Sequence, residues 1–147
     1  MKAQGKLIKV NYAVAIEVAK SAREVFDHLI DLKKWWLEDF VGEELYLNTE
    51  FILKTGDGHF SKNKVIEFDP TKKLTWIATE SLRKADNFDW SGSKFIFELA
   101  PQGDHTQLKF TYDGVVFEND YDILVKVCDM AIKEKFHDFI INGKVKA

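Results

Sequence analysis

Large apolar side chains alternate with alanine or glutamate along residues 12–18, so that every second position is large and apolar. This period of two predicts a first strand that buries one face. Ser21 followed by Glu24 has the spacing of a capping box, so a short helix is predicted next. A second helical turn over residues 32–37 presents two adjacent tryptophans. The apolar positions of the predicted strand are Tyr12, Val14, Ile16 and Val18.

From residue 50 to residue 112 the pattern keeps the period of strands. Turn signals rich in glycine or proline separate the segments, among them Thr55-Gly56-Asp57-Gly58 and Pro101-Gln102-Gly103-Asp104. Turns this short join antiparallel neighbours, whereas parallel strands need a long crossover. The pattern therefore predicts a mostly antiparallel meander.

The chain closes with one long helix, predicted from about Asp120 to Asn142, that is apolar over more than half of its circumference. A second apolar strip lies beside the main face, and one sheet cannot cover both. The main face comprises Tyr121, Leu124, Val125, Cys128, Ala131, Ile132, Phe136 and Phe139. The second strip comprises Ile123, Val127, Met130 and Ile141.

Together these elements predict an α+β fold in a single domain over residues 1–147. A curved, mostly antiparallel sheet of about six strands wraps around the long C-terminal helix, and two short helices follow the first strand. We expect the concave side of the sheet and the helix to enclose either a packed core or a cavity.

Composition narrows the class of partner. The net charge of −3 and the absence of a basic stripe argue against nucleic acid. A single cysteine, Cys128, rules out an intramolecular disulfide and favours a reducing compartment. The first residues lack the apolar run of a signal peptide, and no segment is apolar enough to span a membrane. A cytoplasmic location is therefore expected.

The order of elements resembles the helix-grip fold of the START-like (SRPBCC) superfamily, over about residues 14–143. Local motifs are similar to those of the family named for the activator of the Hsp90 ATPase. These motifs are Trp35-Trp36, Asp39-Phe40-Val41-Gly42, Phe51, Gly56-Asp57-Gly58-His59, Val65-Ile66-Glu67-Phe68-Asp69-Pro70, Leu74-Thr75-Trp76 and Trp90-Ser91-Gly92-Ser93-Lys94-Phe95.

The resemblance implies an apolar cavity between the sheet and the last helix that holds a small hydrophobic molecule. It also implies a heat-shock chaperone as a second kind of partner. The eukaryotic chaperone activators, however, carry a separate N-terminal domain that makes much of the chaperone contact, and these 147 residues contain none.

Aromatic residues make up 14% of the chain, and side chains of this size either fill a core or line a pocket. Both alternatives are open. Lys135 falls inside the apolar face of the last helix, so it either extends its ammonium group out of the core or faces a polar part of a cavity. The candidate cavity residues are Trp35, Trp36, Phe40, Trp76, Trp90, Phe95, Phe97, Phe110, Tyr112, Cys128, Lys135 and Phe139.

A polar end of a ligand would be oriented by Tyr12, Tyr112 or Lys135. The helix that carries the two tryptophans and the connection over residues 83–89 are the expected lids, the connection because it is polar and loosely held.

Neither a catalytic residue nor a metal or cofactor site is predicted. The histidines show no ligand spacing, and no carboxylate pair or histidine dyad marks acid–base chemistry. Thr55-Gly56-Asp57-Gly58 lacks the ending of a phosphate loop and opens no helix. Cys128 is expected to be a buried structural thiol.

Three functions are consistent with these patterns. The first is binding of a small apolar or amphipathic ligand. The second is an interaction module, either chaperone-linked or homodimeric, that uses the second apolar strip of the last helix. The third is a cofactor-free cyclase or hydrolase that depends on the Tyr112 hydroxyl.

Overall fold

A curved antiparallel sheet and a C-terminal helix dominate the computed structural model, which describes residues 5–56 and 58–143. Asp57, part of the predicted turn after residue 54, lies outside the described residues, as do residues 1–4. The strands are β1 (Leu7–Val18), β2 (Asp39–Val41), β3 (Glu50–Lys54), β4 (His59–Asp69), β5 (Lys73–Arg83), β6 (Lys94–Gln102) and β7 (His105–Phe117).

The strand order is β1-β7-β6-β5-β4-β3-β2, so the first and last strands of the chain are neighbours. They pair from Leu7 opposite Phe117 to Val18 opposite Thr106. All other neighbours in the sheet are joined by local connections, as the short turn signals predicted. The antiparallel meander is therefore confirmed.

The sheet has seven strands where the pattern predicted about six. The additional strand, β2, pairs only its three residues with β3. Three residues are too few to show a period of two, because each face receives only one or two side chains.

Two short helices connect β1 to β2, as predicted. The first, α1 (Ala22–Leu29), begins at a capping box in which the Ser21 hydroxyl accepts from the Glu24 amide and the Glu24 carboxylate accepts from the Ser21 amide. The second, α2 (Leu32–Trp35), is a single turn that buries both of its end residues.

The C-terminal helix is continuous from Tyr121 to Asn142. It consists of α3 (Tyr121–Asp129), a wider π-helical segment (Met130–Phe136) and α4 (His137–Asn142), and a 3-10 turn over Glu118–Asp120 precedes it. Gly143 ends the helix with a φ of +76°, a conformation that favours glycine. The predicted long helix is confirmed.

Most of the predicted main face of this helix is buried against the sheet and against α1. The second strip is exposed, with Ile123 at 59%, Val127 at 38% and Ile141 at 46%. The buried helix residues are Cys128, Ala131, Ile132, Phe136, Phe139 and Ile140.

Candidate ligand-binding pocket

A pocket of about 460 Å³ lies between the sheet and the first half of the C-terminal helix. Its floor is the concave face of β6 and β7. Its roof is α3 and the start of the π-helical segment, and its mouth is formed by the ends of β4 and β5 with the connection that follows β5. This volume is within the range of small-molecule sites.

β6 and β7 place every second residue on the concave face of the sheet. The residues at these positions beneath the pocket are aromatic, and they form its floor. Phe95 lies opposite Tyr112 in the register of the two strands, and their ring centroids are 5.3 Å apart. Phe110, two residues before Tyr112 on β7, also lines the pocket.

Beneath the pocket the interior is filled. Trp35, Trp76 and Phe97 are each at most 2% exposed and do not line the pocket. Trp36 marks the boundary, since its ring centroid lies 5.4 Å from that of Trp76 and 6.2 Å from that of Phe110.

The roof is apolar as well. Leu124, Cys128 and Ala131 face the pocket from the helix, while Ile123 and Val127 of the exposed strip lie at its edge. Burial, followed by the neighbouring charge of Asp129, raises the pKa of the Cys128 thiol to about 12. Cys128 is therefore a protonated thiol at neutral pH, and it is buried as predicted.

Polar groups are concentrated at the mouth. Arg83, at the end of β5, donates from Nε and Nη2 to the Asp86 carboxylate at 2.8 and 2.6 Å. Nη2 also donates to Asp120 Oδ2 at 3.0 Å, which links the end of β5 to the start of the C-terminal helix. The guanidinium carbon lies 4.9 Å from the ring centroid of Phe88. The pKa of Arg83 is raised, chiefly by the hydrogen bonds to Asp86.

The connection over residues 83–89 is not the loosely held lid that the sequence predicted. The Arg83 amide donates to the Phe88 carbonyl at 2.9 Å, and Phe88 itself is only 9% exposed. Arg83 pairs with Asp86, and Asp89 accepts from the hydroxyls of Ser81 and Ser91, so the segment is held in place although its composition is that of a loop.

His59 and Thr55 complete the mouth on the side of β3 and β4. The Thr55 hydroxyl lies 3.3 Å from His59 Nδ1, and the ring centroid of His59 is 6.5 Å from that of Trp90. On the opposite side, Glu38 lies 3.4 Å from the indole nitrogen of Trp36, which donates to it.

The two tyrosines proposed to orient a ligand have partners within the protein. The Tyr112 hydroxyl donates to the Val115 carbonyl at 2.6 Å and lies 3.1 Å from the Ser93 hydroxyl. The Tyr12 hydroxyl donates to Asp129 at 2.7 Å and joins β1 to the helix; this bond is the main reason that its pKa is raised to about 12.

The predicted cavity residues thus divide into two groups. Those that line the pocket are Trp36, Trp90, Phe95, Phe110, Tyr112 and Cys128. Those that lie outside its lining are Trp35, Phe40, Trp76, Phe97, Lys135 and Phe139. Lys135 is half-buried on the π-helical segment.

Several lining residues were missed by sequence reasoning, notably Thr55, His59, Arg83, Phe88 and Asp120. They come from turns and strand ends, where no periodicity marks the direction of a side chain. The aromatic residue Phe88 within a polar connection was the one available signal, because an isolated apolar side chain there requires a place to be buried.

Among residues 5–56 and 58–143, no group of three or more His, Cys, Asp or Glu side chains is placed to hold a metal ion. In the same residues, no helix combines the length and the hydropathy that crossing a bilayer requires.

No protein-family model matches the sequence, and no curated protein matches it. Solved structures do match. Protein Mll3558 from Rhizobium loti has a TM-score of 0.70 at 16% identity, with 87% of this chain and 95% of that chain covered. CalU16 from Micromonospora echinospora has a TM-score of 0.62 at 18% identity, with 92% and 83% covered. The Aha1 dimer from Colwellia psychrerythraea has a TM-score of 0.62 at 21% identity, with 83% and 96% covered.

At these identities the comparisons establish the fold. The chain has the helix-grip fold, which confirms the fold predicted from the order of its elements. Because one fold carries many functions, its activity has to be argued from the pocket.

Proposed function

We propose that this chain binds a small apolar or amphipathic molecule in the pocket between the sheet and the C-terminal helix. The observation that carries the proposal is the pocket itself, about 460 Å³ with mostly aromatic and aliphatic walls and a small number of polar side chains. Such an arrangement, apolar with a few convergent polar groups, is typical of small-molecule sites.

Burial of the ligand's apolar surface supplies the affinity, at about 25 cal/mol per Å² removed from water. The polar side chains of the lining include Thr55, His59 and Arg83, and the polar end of the ligand is best placed among them. The presence of a single cysteine supports a reducing, cytoplasmic setting.

A thermal-shift screen tests the proposal. The purified protein is heated with fatty acids, sterols, flavonoids and polyketide-like aromatic compounds. A ligand at about 100 times its dissociation constant adds about 2.7 kcal/mol to the free energy of unfolding. For a domain of this size the melting temperature rises by roughly 5–10 °C.

Two matched variants on the same helix identify the site. Val127→Trp places a large ring at the edge of the pocket and is expected to abolish the shift. Ile141→Trp makes a similar change at an exposed position that does not line the pocket and is expected to keep it. A flat response across the panel, or an equal loss in both variants, would contradict ligand binding at this pocket.

The second candidate function is an interaction module, either a homodimer or a partner of a heat-shock chaperone. The exposure of Ile123, Val127 and Ile141 favours it, as does the similarity to a structure described as the Aha1 dimer. Size-exclusion chromatography with light scattering tests the dimer, and a monomer at every concentration would reject it. A pull-down without a heat-shock chaperone would count against the chaperone form.

A further inference from the structure

We propose that the pocket selects its ligand by charge and takes a neutral or cationic aromatic molecule in preference to an anionic one. This inference rests on the ligand binding proposed above. It follows from the charges around the pocket, where the guanidinium of Arg83 is paired with the carboxylates of Asp86 and Asp120, and where Glu38 adds a further carboxylate to the lining.

Arg83 is the only lysine or arginine among the described residues of the pocket lining, so it is the side chain that a ligand carboxylate or sulfonate would need. Two carboxylates of the protein already accept hydrogen bonds from Arg83. Asp86 accepts from two of its nitrogens and Asp120 accepts from one, and the side chains are about one-fifth to one-quarter exposed. Because the guanidinium and its two carboxylates together carry a net charge of −1, an anionic ligand at Arg83 meets net repulsion.

The start of the C-terminal helix does not offer the anion another position. A helix N-terminus usually attracts negative charge. Here Asp120 stands at the N-cap position of α3 and Asp122 lies in its first turn, so the helix dipole already faces carboxylates of the chain. An added negative charge at this end meets repulsion from Asp120 instead.

Other cationic or titratable side chains near the mouth do not reverse this balance. Lys84 is exposed and packs beside Gly58, outside the lining. His59 also lines the pocket, and the unperturbed pKa of a free histidine side chain is about 6.5. The experiment is therefore run at pH 8.

The walls favour an aromatic ligand, because the rings of Trp36, Phe95, Phe110 and Tyr112 surround the volume. Aromatic faces also attract cations, so a positive charge on the ligand is compatible with these walls. Phe88 already makes such a contact with Arg83.

Two fluorescent probes with the same ring system test the charge preference. N-phenyl-1-naphthylamine is neutral, and 8-anilino-1-naphthalenesulfonate adds a sulfonate to it. In the unmodified protein the neutral probe is expected to bind at least tenfold more tightly. Val127→Trp should remove this binding and so locate both probes in the pocket.

The sulfonate also makes the probe more soluble in water, which weakens its binding whatever the charges of the protein. The decisive measurement is therefore how the ratio of the two probes' affinities changes from one variant to another. Asp120→Asn removes a carboxylate from the mouth and releases part of Arg83, and it is expected to narrow the ratio at least threefold. Glu134→Gln makes the same change in net charge at an exposed position on the same helix, outside the lining, and is expected to leave the ratio unchanged. Glu38→Gln is a second variant of the mouth with the same expected direction, for use if Asp120→Asn does not fold.

The outcomes separate the two proposals. If neither probe binds the unmodified protein, the ligand-binding function fails, and the charge preference fails with it. If both probes bind and the sulfonate binds as tightly as the neutral probe, only the charge preference is overturned. The charge preference is also overturned if Asp120→Asn and Glu134→Gln change the ratio equally, because the effect then comes from the net charge of the protein.

Discussion

The space between the sheet and the C-terminal helix has two halves that differ although both are lined by aromatic residues. Around α4 the space is filled, because α1 and α2 insert Phe26, Leu29 and Trp35 between the helix and the sheet. Around α3 no such layer is inserted, and the space between Phe110 and Leu124 stays open as the pocket. The difference shows that aromatic content does not decide whether a helix-grip interior is open; the reach of the two short helices does.

The largest expected effect is in the filled half. Trp35→Ala removes a side chain that is 2% exposed and whose indole nitrogen donates to the Leu29 carbonyl at 3.1 Å. We expect a loss of about 3–5 kcal/mol in the free energy of unfolding, measured by urea denaturation, because a large cavity is created. Trp90→Ala, at the half-buried mouth of the open half, is the control and should cost clearly less. Equal losses in the two variants would contradict the division into two halves.

A matched pair of enlargements tests the same division with a smaller effect. Ala78 and Ala131 are both 1% exposed, but only Ala131 lines the pocket. Ala78→Leu should cost about 1–3 kcal/mol through overpacking. Ala131→Leu can extend into the pocket and should change the free energy of unfolding by less than about 1 kcal/mol. If Ala131→Leu is as destabilising as Ala78→Leu, the pocket is not available to protein side chains.

The smallest effect concerns alkaline pH and sharpens the description of the open half. Folding favours the protonated form of Cys128, because the pKa of the thiol rises from its ordinary value of 9.0 to about 12 in the folded protein. The contribution of the thiol to the free energy of unfolding is therefore complete below pH 9, and it is lost as the pH rises towards 12. The free energy of unfolding should thus begin to fall near pH 9, by at most about 1.4 kcal/mol per pH unit for this group.

Cys128→Ala should remove the decline that begins near pH 9. Tyr12→Phe serves as the comparison. The pKa of Tyr12 rises from 10.0 to about 12, so its contribution to the free energy of unfolding begins to be lost near pH 10, one unit above the onset for Cys128. Chemical denaturation at pH 8 to 11 measures both. An unchanged onset in Cys128→Ala would show that water reaches the thiol through the pocket.

Much of the fold could be predicted from the residues because its elements have strong periodic patterns. The alternation over residues 12–18, the capping box at Ser21 and the long apolar face before Asn142 each correspond to an observed element. The three-residue strand β2 could not be predicted, because pairing with β3 rather than its own pattern makes it a strand.

The candidate site was predicted only in part, and the reason is geometric. Phe95, Phe110 and Tyr112 were found because strand alternation assigns them to the concave face. Arg83 and Asp120 were not, because they are far apart in sequence and meet only when β5 ends beside the start of the helix.

The sequence by itself determined the order of the elements, the faces they bury and the apolar character of the interior, since these depend on local periodicity and on the hydrophobic effect. Only the tertiary structure decided which aromatic residues fill the core and which line a pocket, and which charges meet at its mouth. The first outcome depends on where α1 and α2 pack under the C-terminal helix, and the second on β5 ending beside the start of that helix. Both are set by packing between segments remote in the chain.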